Sequence, residues 1–310
     1  MRSLLVLSPG AMTTVQDLGR IGYSHMGIPQ SGVLDQEAAS IANKLLGNPI
    51  EAAVLECTVV GPCFAVLKTV QLAIAGADMG TTLNYTRIPN LTAFTATAGD
   101  VLAFGQIKSG CRAYLAISGG FNVPMVMGSL STYLSGKLGG FKGRALLKGD
   151  YLSPFEYRSF KKPITIAQLD QPRYSSRMEL RVIDGPQFAY FGSNVRRFFQ
   201  ESYQVSDKTD RIGCCLDGPS ISTVDGYHHT IISEPIVRGN IQVPPNGKPI
   251  VLWGEQTVGS YTKIATVITP DLPLLAQAIP GDTIYFRRID LYTAHILYRK
   301  WHADHMRSIG

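Results

Sequence analysis

The sequence predicts a mainly β protein with a few short helices, and three observations lead to this prediction. Short apolar or alternating runs recur along the chain, and its 31 glycines and 18 prolines are spread between them. A Gly-Asp pair followed by an alternating strand occurs in each half, at Gly99-Asp100 and Gly281-Asp282. Glycine tolerates positive φ and aspartate hydrogen-bonds its local backbone, so this pair is typical of a tight turn that leads into a strand.

The first half begins with a strand over residues 2–7, which Pro9 and Gly10 end. A polar, glycine-rich segment, Thr13–Arg20, follows it and is predicted to be a loop. Asp35 is a suitable N-cap for a helix whose apolar residues extend from Ala38 to Leu46. Further strands are predicted at Val54–Thr58, Phe64–Leu67, Val70–Ala75, Val101–Phe104 and Arg112–Ile117. Residues 121–155 are rich in Gly, Ser and Lys, and are interpreted either as a surface crossing or as an anion-binding loop.

The second half follows a polar connection over residues 156–177. It opens with a strand at Leu180–Ile183 and a helix over about Gln187–Gln200. Strands are then predicted at Gly213–Leu216, His229–Ser233, Ile241–Val243, Pro249–Trp253, Lys263–Ile268 and Thr283–Phe286. The segment from Leu291 to about Met306 has helical spacing and is predicted to form a terminal surface helix.

The repeated turns suggest that the chain contains two related halves. Lys148-Gly149-Asp150 partly repeats the Gly-Asp pattern, and Gly-Pro pairs recur at Gly61-Pro62, Gly185-Pro186 and Gly218-Pro219. We therefore predict a duplicated barrel-like unit, with one half at residues 1–160 and the other at 161–310. The alternative is that β proteins generally reuse the same turn chemistry.

Composition and charge exclude several classes of function. The net charge of +6 comes from scattered basic residues, whereas a nucleic-acid binder shows a continuous basic stripe. The apolar run Leu4–Leu7 is too short for a signal peptide, and no run is long enough to span a membrane.

Five cysteines without a CxxC pair predict free thiols in the cytoplasm. His302 and His305 alone are too few ligands for a metal site, so no metal is predicted.

The dispersed motifs together resemble one family. The segment Thr13–Arg20 resembles the opening of the allophanate hydrolase subunit 2 family, also called the biotin-dependent carboxyltransferase family, which includes the C subunit of 5-oxoprolinase and the KipI antagonist KipA. The resemblance covers about residues 5–288. It continues through Gly27-Ile28-Pro29, Leu55-Glu56, Gly76-Ala77-Asp78, Arg112–Ala116, Gly128-Ser129, Gly185-Pro186-Gln187, Arg211-Ile212-Gly213, Gly239–Pro244, Gln256–Ala265 and Pro280-Gly281-Asp282.

This resemblance implies a duplicated cyclophilin-like β-barrel fold and an amide substrate. It also implies two protein partners, namely the KipI-like B subunit and the A subunit of 5-oxoprolinase. The complex of the three uses ATP as co-substrate to open 5-oxo-L-proline to L-glutamate. The chain lacks an Ala-Met-Lys-Met sequence, so no covalently bound biotin is expected on it.

Opening a lactam requires stabilisation of an anionic intermediate, which arginines and backbone N–H groups supply. Within the matched motifs, Arg20 is a candidate catalytic residue. The candidate substrate-binding residues of the first half are Gln16, Asp17, Arg112 and Arg144, and Arg211 is a candidate in the second half. For each arginine the alternative is a structural ion pair, for example between Arg20 and Asp17.

A second candidate group lies within Gln256–Lys263. Lys263 and Tyr261 are candidate catalytic residues, and Gln256 and Thr257 are candidates for substrate binding. Thr257, Tyr261 and Lys263 are separated by even numbers, so they can share one face of an extended segment; the alternative is an exposed hairpin edge. The family commonly has Thr-Thr-Gly-Gly-Tyr here, but this chain has Val258 and Ser260 at the second and fourth positions.

Three functions fit the resemblance. The first is the C subunit of an ATP-dependent 5-oxoprolinase that is active only in complex. The second is a regulatory protein that antagonises a KipI-like kinase inhibitor. The third is the carboxyltransferase component of a urea carboxylase or allophanate hydrolase type of system.

Overall fold

The computed structural model describes residues 2–156 and 174–306. Contacts divide these residues into two compact units. Unit 1 comprises residues 2–21, 31–156 and 174, and unit 2 comprises residues 22–30 and 175–306. The predicted boundary between residues 160 and 161 lies outside the described residues and stays a prediction.

Unit 1 contains two antiparallel sheets and one helix. Its strands are β1 (Leu4–Ser8), β2 (Met12–Gln16), β3 (Val54–Thr58), β4 (Cys63–Val66), β5 (Val70–Asp78), β6 (Thr82–Leu83), β7 (Thr86–Arg87), β8 (Thr92–Ala96), β9 (Val101–Ala103), β10 (Ser109–Ile117) and β11 (Tyr151–Leu152), and its helix is α1 (Gln36–Leu45). A 6-stranded sheet has the order β11-β1-β4-β9-β6-β7, and a 5-stranded sheet has the order β2-β3-β10-β5-β8.

The 5-stranded sheet is covered on both faces. One face contributes Leu55 and Leu115 to a core that also contains Leu4 and Phe64 of the 6-stranded sheet. The opposite face packs against the apolar side of α1. The predicted N-cap of α1 is confirmed, because the Asp35 carboxylate accepts a hydrogen bond from the Ala38 backbone N–H at 2.9 Å.

Unit 2 contains a sheet that closes on itself. Its main elements are β12 (Arg177–Asp184), α2 (Val195–Gln200), β13 (Tyr203–Val205), β14 (Gly213–Asp217), β15 (Thr230–Pro235), β16 (Asn240–Val243), β17 (Ile250–Leu252), β18 (Val258–Val267), α3 (Leu272–Ala276), β19 (Thr283–Arg288) and α4 (Leu291–Met306). The 8-stranded sheet has the order β12-β19-β13-β14-β17-β16-β18-β15, and an additional pairing of β12 with β18 closes a ring that leaves β15 outside. The mainly β prediction is therefore confirmed, whereas the described pairings of unit 1 form two separate sheets, and duplication of a barrel stays a prediction.

The three Gly-Asp turns share one hydrogen-bonding geometry. Each glycine has a φ between 90° and 98°, and each aspartate carboxylate accepts a hydrogen bond from the N–H three residues earlier. These bonds join Thr97 to Asp100 at 2.7 Å, Leu147 to Asp150 at 2.7 Å, and Ile279 to Asp282 at 2.9 Å. The predicted turn chemistry is confirmed at all three places.

Other segments differ from their predictions. Residues 13–16 belong to β2 rather than to a loop, because this segment pairs with β3 in regular antiparallel register. Residues 121–155 are not at the surface throughout, since Ser129, Ser131 and Thr132 are fully buried. The helix predicted over 187–200 is a 3-10 helix at Phe188–Asn194 followed by α2, because Gly192 at φ 48° and ψ −126° breaks the helical backbone.

The cysteines are free thiols, as predicted, and Cys57, Cys111 and Cys214 are buried. Burial raises the pKa of Cys57 to about 12, because a thiolate is poorly solvated in the apolar core. Among the described residues, no helix combines the length and apolar character that crossing a bilayer requires.

Candidate functional site

Arg20 is the centre of a buried polar cluster in unit 1. Its side chain is 1% exposed, and its Nε and Nη2 atoms donate to the carbonyl oxygens of Val126 at 3.1 Å and Ser131 at 2.9 Å. Burial lowers the pKa of Arg20, and the negative charge of Asp17 partly offsets this effect. The nearby Gly139 leaves no space for a side chain, since a Cβ there would lie 2.6 Å from Arg20 Nη2.

Asp17 anchors the segment that Arg20 contacts. Its carboxylate accepts hydrogen bonds from the hydroxyls of Ser129 at 2.7 Å and Ser131 at 2.5 Å, and from the Leu130 N–H at 2.6 Å. Gln16 contributes in the same region, because its Nε2 donates to the Thr132 carbonyl oxygen at 3.1 Å. The structure therefore brings together three predicted residues, Gln16, Asp17 and Arg20, and the bonds shown connect them mainly to residues 126–132.

Arg112 lies on β10 beside a second buried group of unit 1. It is 3% exposed and pairs in register with Thr58 of β3. Two residues along the same strand, the Tyr114 hydroxyl donates to the Glu56 carboxylate at 2.8 Å. The pKa of Tyr114 is raised mainly by burial and further by Glu56, while the positive charge of Arg112 opposes the rise. Arg112 thus contributes to the electrostatics of the Glu56–Tyr114 pair.

Arg144 forms the structural ion pair that was the alternative to substrate binding. Its Nη1 and Nη2 donate to the two carboxylate oxygens of Asp150 at 2.7 and 2.9 Å. The hydrogen bond from Arg144 is the main cause that lowers the pKa of Asp150, and the same bond raises the pKa of Arg144. The guanidinium therefore stabilises the Gly149-Asp150 turn. Substrate binding by Arg144 stays a prediction.

Lys263 is the corresponding buried cation of unit 2. Its side chain is 1% exposed, yet its Nζ donates at 2.8 Å to a carboxylate oxygen of Glu234, whose side chain is 42% exposed. Gln187 Nε2 donates to both carboxylate oxygens of Glu234, at 3.1 and 3.0 Å. The hydrogen bonds from Lys263 and Gln187 lower the pKa of Glu234. We call Lys263, Glu234 and Gln187 the Lys263 cluster.

The remaining predicted residues of unit 2 have different surroundings. Arg211 forms a buried salt bridge, with its Nε 2.6 Å from Glu255 Oε1. Gln256 is exposed, whereas Thr257 and Tyr261 are half-buried. Thr257 precedes β18, and its carbonyl oxygen accepts a hydrogen bond from the Ile236 N–H. The expectation that Thr257, Tyr261 and Lys263 share one face stays a prediction.

Glu234 was missed because its role depends on a distant partner. It lies in β15, and nothing in that local sequence pairs it with a lysine 29 positions away. Gln187 had a weaker signal, as part of the Gly185-Pro186-Gln187 motif. Chemically, the cluster offers a lysine ammonium and an accessible carboxylate, which suit a ligand with both a carbonyl oxygen and an N–H group.

Within residues 2–156 and 174–306, no group of three or more His, Cys, Asp or Glu side chains is placed to hold a metal ion.

Residues 26–288 match the family described as carboxyltransferase domain, subdomain A and B. The chain is 35% identical over 295 residues to the 5-oxoprolinase C subunit of Escherichia coli (strain K12), covering 94% of this chain and 93% of that protein. It is 30% identical over 308 residues to the 5-oxoprolinase C subunit of Haemophilus influenzae, covering 98% and 97%. It is also 32% identical to urea amidolyase of Saccharomyces cerevisiae, where the match covers 90% of this chain but only 16% of that protein.

Solved structures agree with this relationship. The crystal structure of TTHA0988 superposes with a TM-score of 0.85 at 35% identity, and the match covers 93% of this chain and 55% of that chain. The urea amidolyase of K. lactis superposes with a TM-score of 0.91 at 28% identity, and the match covers 98% of this chain and 20% of that one. The chain therefore belongs to the carboxyltransferase domain family, and the resemblance seen in the sequence is confirmed.

Proposed function

We propose that this chain is the C subunit of an ATP-dependent 5-oxoprolinase, which hydrolyses 5-oxo-L-proline to L-glutamate together with an A subunit and a KipI-like B subunit. The observation that carries the proposal is the share of each relative that the alignment spans. The C subunits of 5-oxoprolinase from two bacteria align over 93% and 97% of their own sequences, whereas urea amidolyase from yeast aligns over 16%. The chain thus matches nearly all of each C subunit but only a small part of urea amidolyase.

The Lys263 cluster is the site at which we place the chain's contribution to the reaction. Attack on an amide carbonyl places negative charge on its oxygen, and a preorganised cation stabilises that charge. Lys263 is held in place by Glu234, and Glu234 extends to solvent, where a substrate can reach it. A substrate that displaces one Glu234 oxygen from Nζ would face the ammonium directly.

Reconstitution tests this proposal. Mixing the chain with its A and B partner subunits, ATP and 5-oxo-L-proline should release L-glutamate, and omission of any component should abolish the release. Lys263→Met should lower the release about 100-fold, because it removes the charge that stabilises the oxyanion. Lys248→Met is the matched control, because Lys248 forms an exposed ion pair with Asp217 in the same unit, and it should retain activity. No glutamate release from the complete mixture would disprove the proposal.

A second function is favoured by the similarity to urea amidolyase. In that case the chain is a carboxyltransferase component that acts with a separate biotin carrier protein. Carboxylation of urea that avidin inhibits would support this function, and glutamate release that avidin leaves unchanged would argue against it.

A further inference from the structure

Gln242 of β16 carries a polar group that the fold leaves unsatisfied. Its side chain is 4% exposed, and its Nε2 atom has no hydrogen-bond partner among the described residues. A buried donor without a partner destabilises a folded protein, so such a group calls for a functional or structural reason. Gln242 pairs in register with Lys263, which places it beside the Lys263 cluster.

Gly259 of β18 provides the space into which this amide points. A Cβ built on Gly259 would lie 2.1 Å from Gln242 Nε2 and 3.2 Å from Ile236 Cγ2. The backbone of Gly259 is outside the positive-φ region, so its conformation does not require glycine. Glycine is required here because the Gln242 amide lies directly over the strand and occupies the space of a side chain.

Glu234 of the neighbouring strand β15 lies next to Gly259. It is the register partner of Gly259 in the pairing of β15 with β18, and its side chain is 42% exposed. Gly259 itself is partly exposed. A donor on Gln242 and an acceptor on Glu234 therefore lie next to Gly259, and the Lys263 ammonium bonds to the same Glu234 carboxylate.

We propose that Gln242 is a substrate-binding residue, which donates a hydrogen bond from Nε2 to the carbonyl oxygen of an amide bound next to Gly259 and Glu234. The N–H group of the same amide donates to Glu234. The class of ligand is an amide with its carbonyl oxygen and N–H on one edge, as in a lactam or urea. This inference rests on the proposed function and assigns the group that orients its substrate.

The test uses the reconstituted complex with Gln242→Leu and Gly259→Ala. Leucine removes the donor and keeps the volume, and alanine places a methyl group where the Gln242 amide lies and so displaces the donor. Each variant should raise the KM for 5-oxo-L-proline about tenfold, the effect of losing one hydrogen bond of about 1.4 kcal/mol. The KM for ATP should not change. Ser260→Ala, one residue away, is the control and should keep the wild-type KM.

A purely structural role gives a different result. If Gln242 serves the fold alone, Gln242→Leu removes an unsatisfied donor, so the variant gains thermal stability while its KM for 5-oxo-L-proline stays unchanged; this outcome would overturn the inference. Thermal melts of each variant show whether it is folded. If Gly259→Ala does not fold, Gln242→Leu decides alone.

A direct binding measurement separates this inference from the proposed function. If the wild-type complex releases no glutamate, calorimetric titration of the chain with 5-oxo-L-proline and with urea still tests the site. Binding of either amide that Gly259→Ala and Gln242→Leu weaken, with no binding of L-proline, supports the inference although the proposed function has failed. Absence of binding by both amides would reject the inference as well.

Discussion

Arg20 of unit 1 and Lys263 of unit 2 are both about 1% exposed, but their partners differ in kind. Arg20 donates to two backbone carbonyl oxygens, and the neighbouring Asp17 is occupied by hydrogen bonds from Ser129, Ser131 and Leu130. Lys263 instead donates to the carboxylate of Glu234, which is 42% exposed.

The difference between these partners distinguishes two roles of a buried cation. A guanidinium that satisfies backbone carbonyls fixes one loop conformation, and its removal leaves those carbonyls without donors. An ammonium whose partner reaches solvent can exchange that partner for a ligand at a smaller cost. We therefore propose that the Arg20 cluster is mainly structural and that the Lys263 cluster is the functional site.

The largest expected effect comes from Arg20→Met. The substitution removes the donors to Val126 and Ser131 inside the protein and takes away the positive charge near Asp17, so the free energy of unfolding should fall by about 3–5 kcal/mol. Urea denaturation of the purified chain measures this change. A loss below about 1 kcal/mol would show that the Arg20 cluster does not hold the fold.

The second effect concerns Lys263→Met. Because the freed Glu234 carboxylate can be hydrated, the free energy of unfolding should fall by only about 1–2 kcal/mol. Glutamate release by the complex should nevertheless fall about 100-fold, as expected for loss of a charge that stabilises an oxyanion. If Lys263→Met destabilised the chain as much as Arg20→Met, the two clusters would have the same role.

The smallest effect is predicted for the partly exposed pair of Arg144 and Asp150. Arg144 lowers the pKa of Asp150 in the folded state, so this stabilisation is present above the unfolded pKa of aspartate and is lost as pH falls through the lower folded pKa. Arg144→Met should reduce the free energy of unfolding by about 1 kcal/mol at neutral pH. The difference from wild type should vanish in acid, as urea titrations at a series of pH values would show. A difference that persisted in acid would mean that Arg144 acts through packing on Phe141 instead.

Features that depend on near neighbours in the sequence were predictable. The Gly-Asp turns and the Asp35 N-cap form bonds across three residues, so their chemistry is visible locally. The same locality explains why most strands were located, and the family was identified because many short motifs occur in one order.

Long-range partners were not predictable. Residues 13–16 look like a polar loop because their side chains are hydrophilic, yet they form a strand that pairs with β3. The next residue, Asp17, donates its backbone N–H to the Ser131 hydroxyl, 114 positions later. The roles of Glu234 and Gln242 likewise depend on strand pairing with β18, which no local pattern indicates. The sequence therefore predicted Lys263 of the candidate site but not its neighbours Glu234 and Gln242.

The closed ring of unit 2 also has a consequence for how the chain folds. The strand Arg177–Asp184 pairs in parallel with Thr283–Arg288, about one hundred residues later, and this pairing completes the ring. Contacts so distant in sequence slow folding, because the intervening chain must be ordered before they form. During synthesis, β12 therefore lacks its parallel partner until residue 288 has left the ribosome.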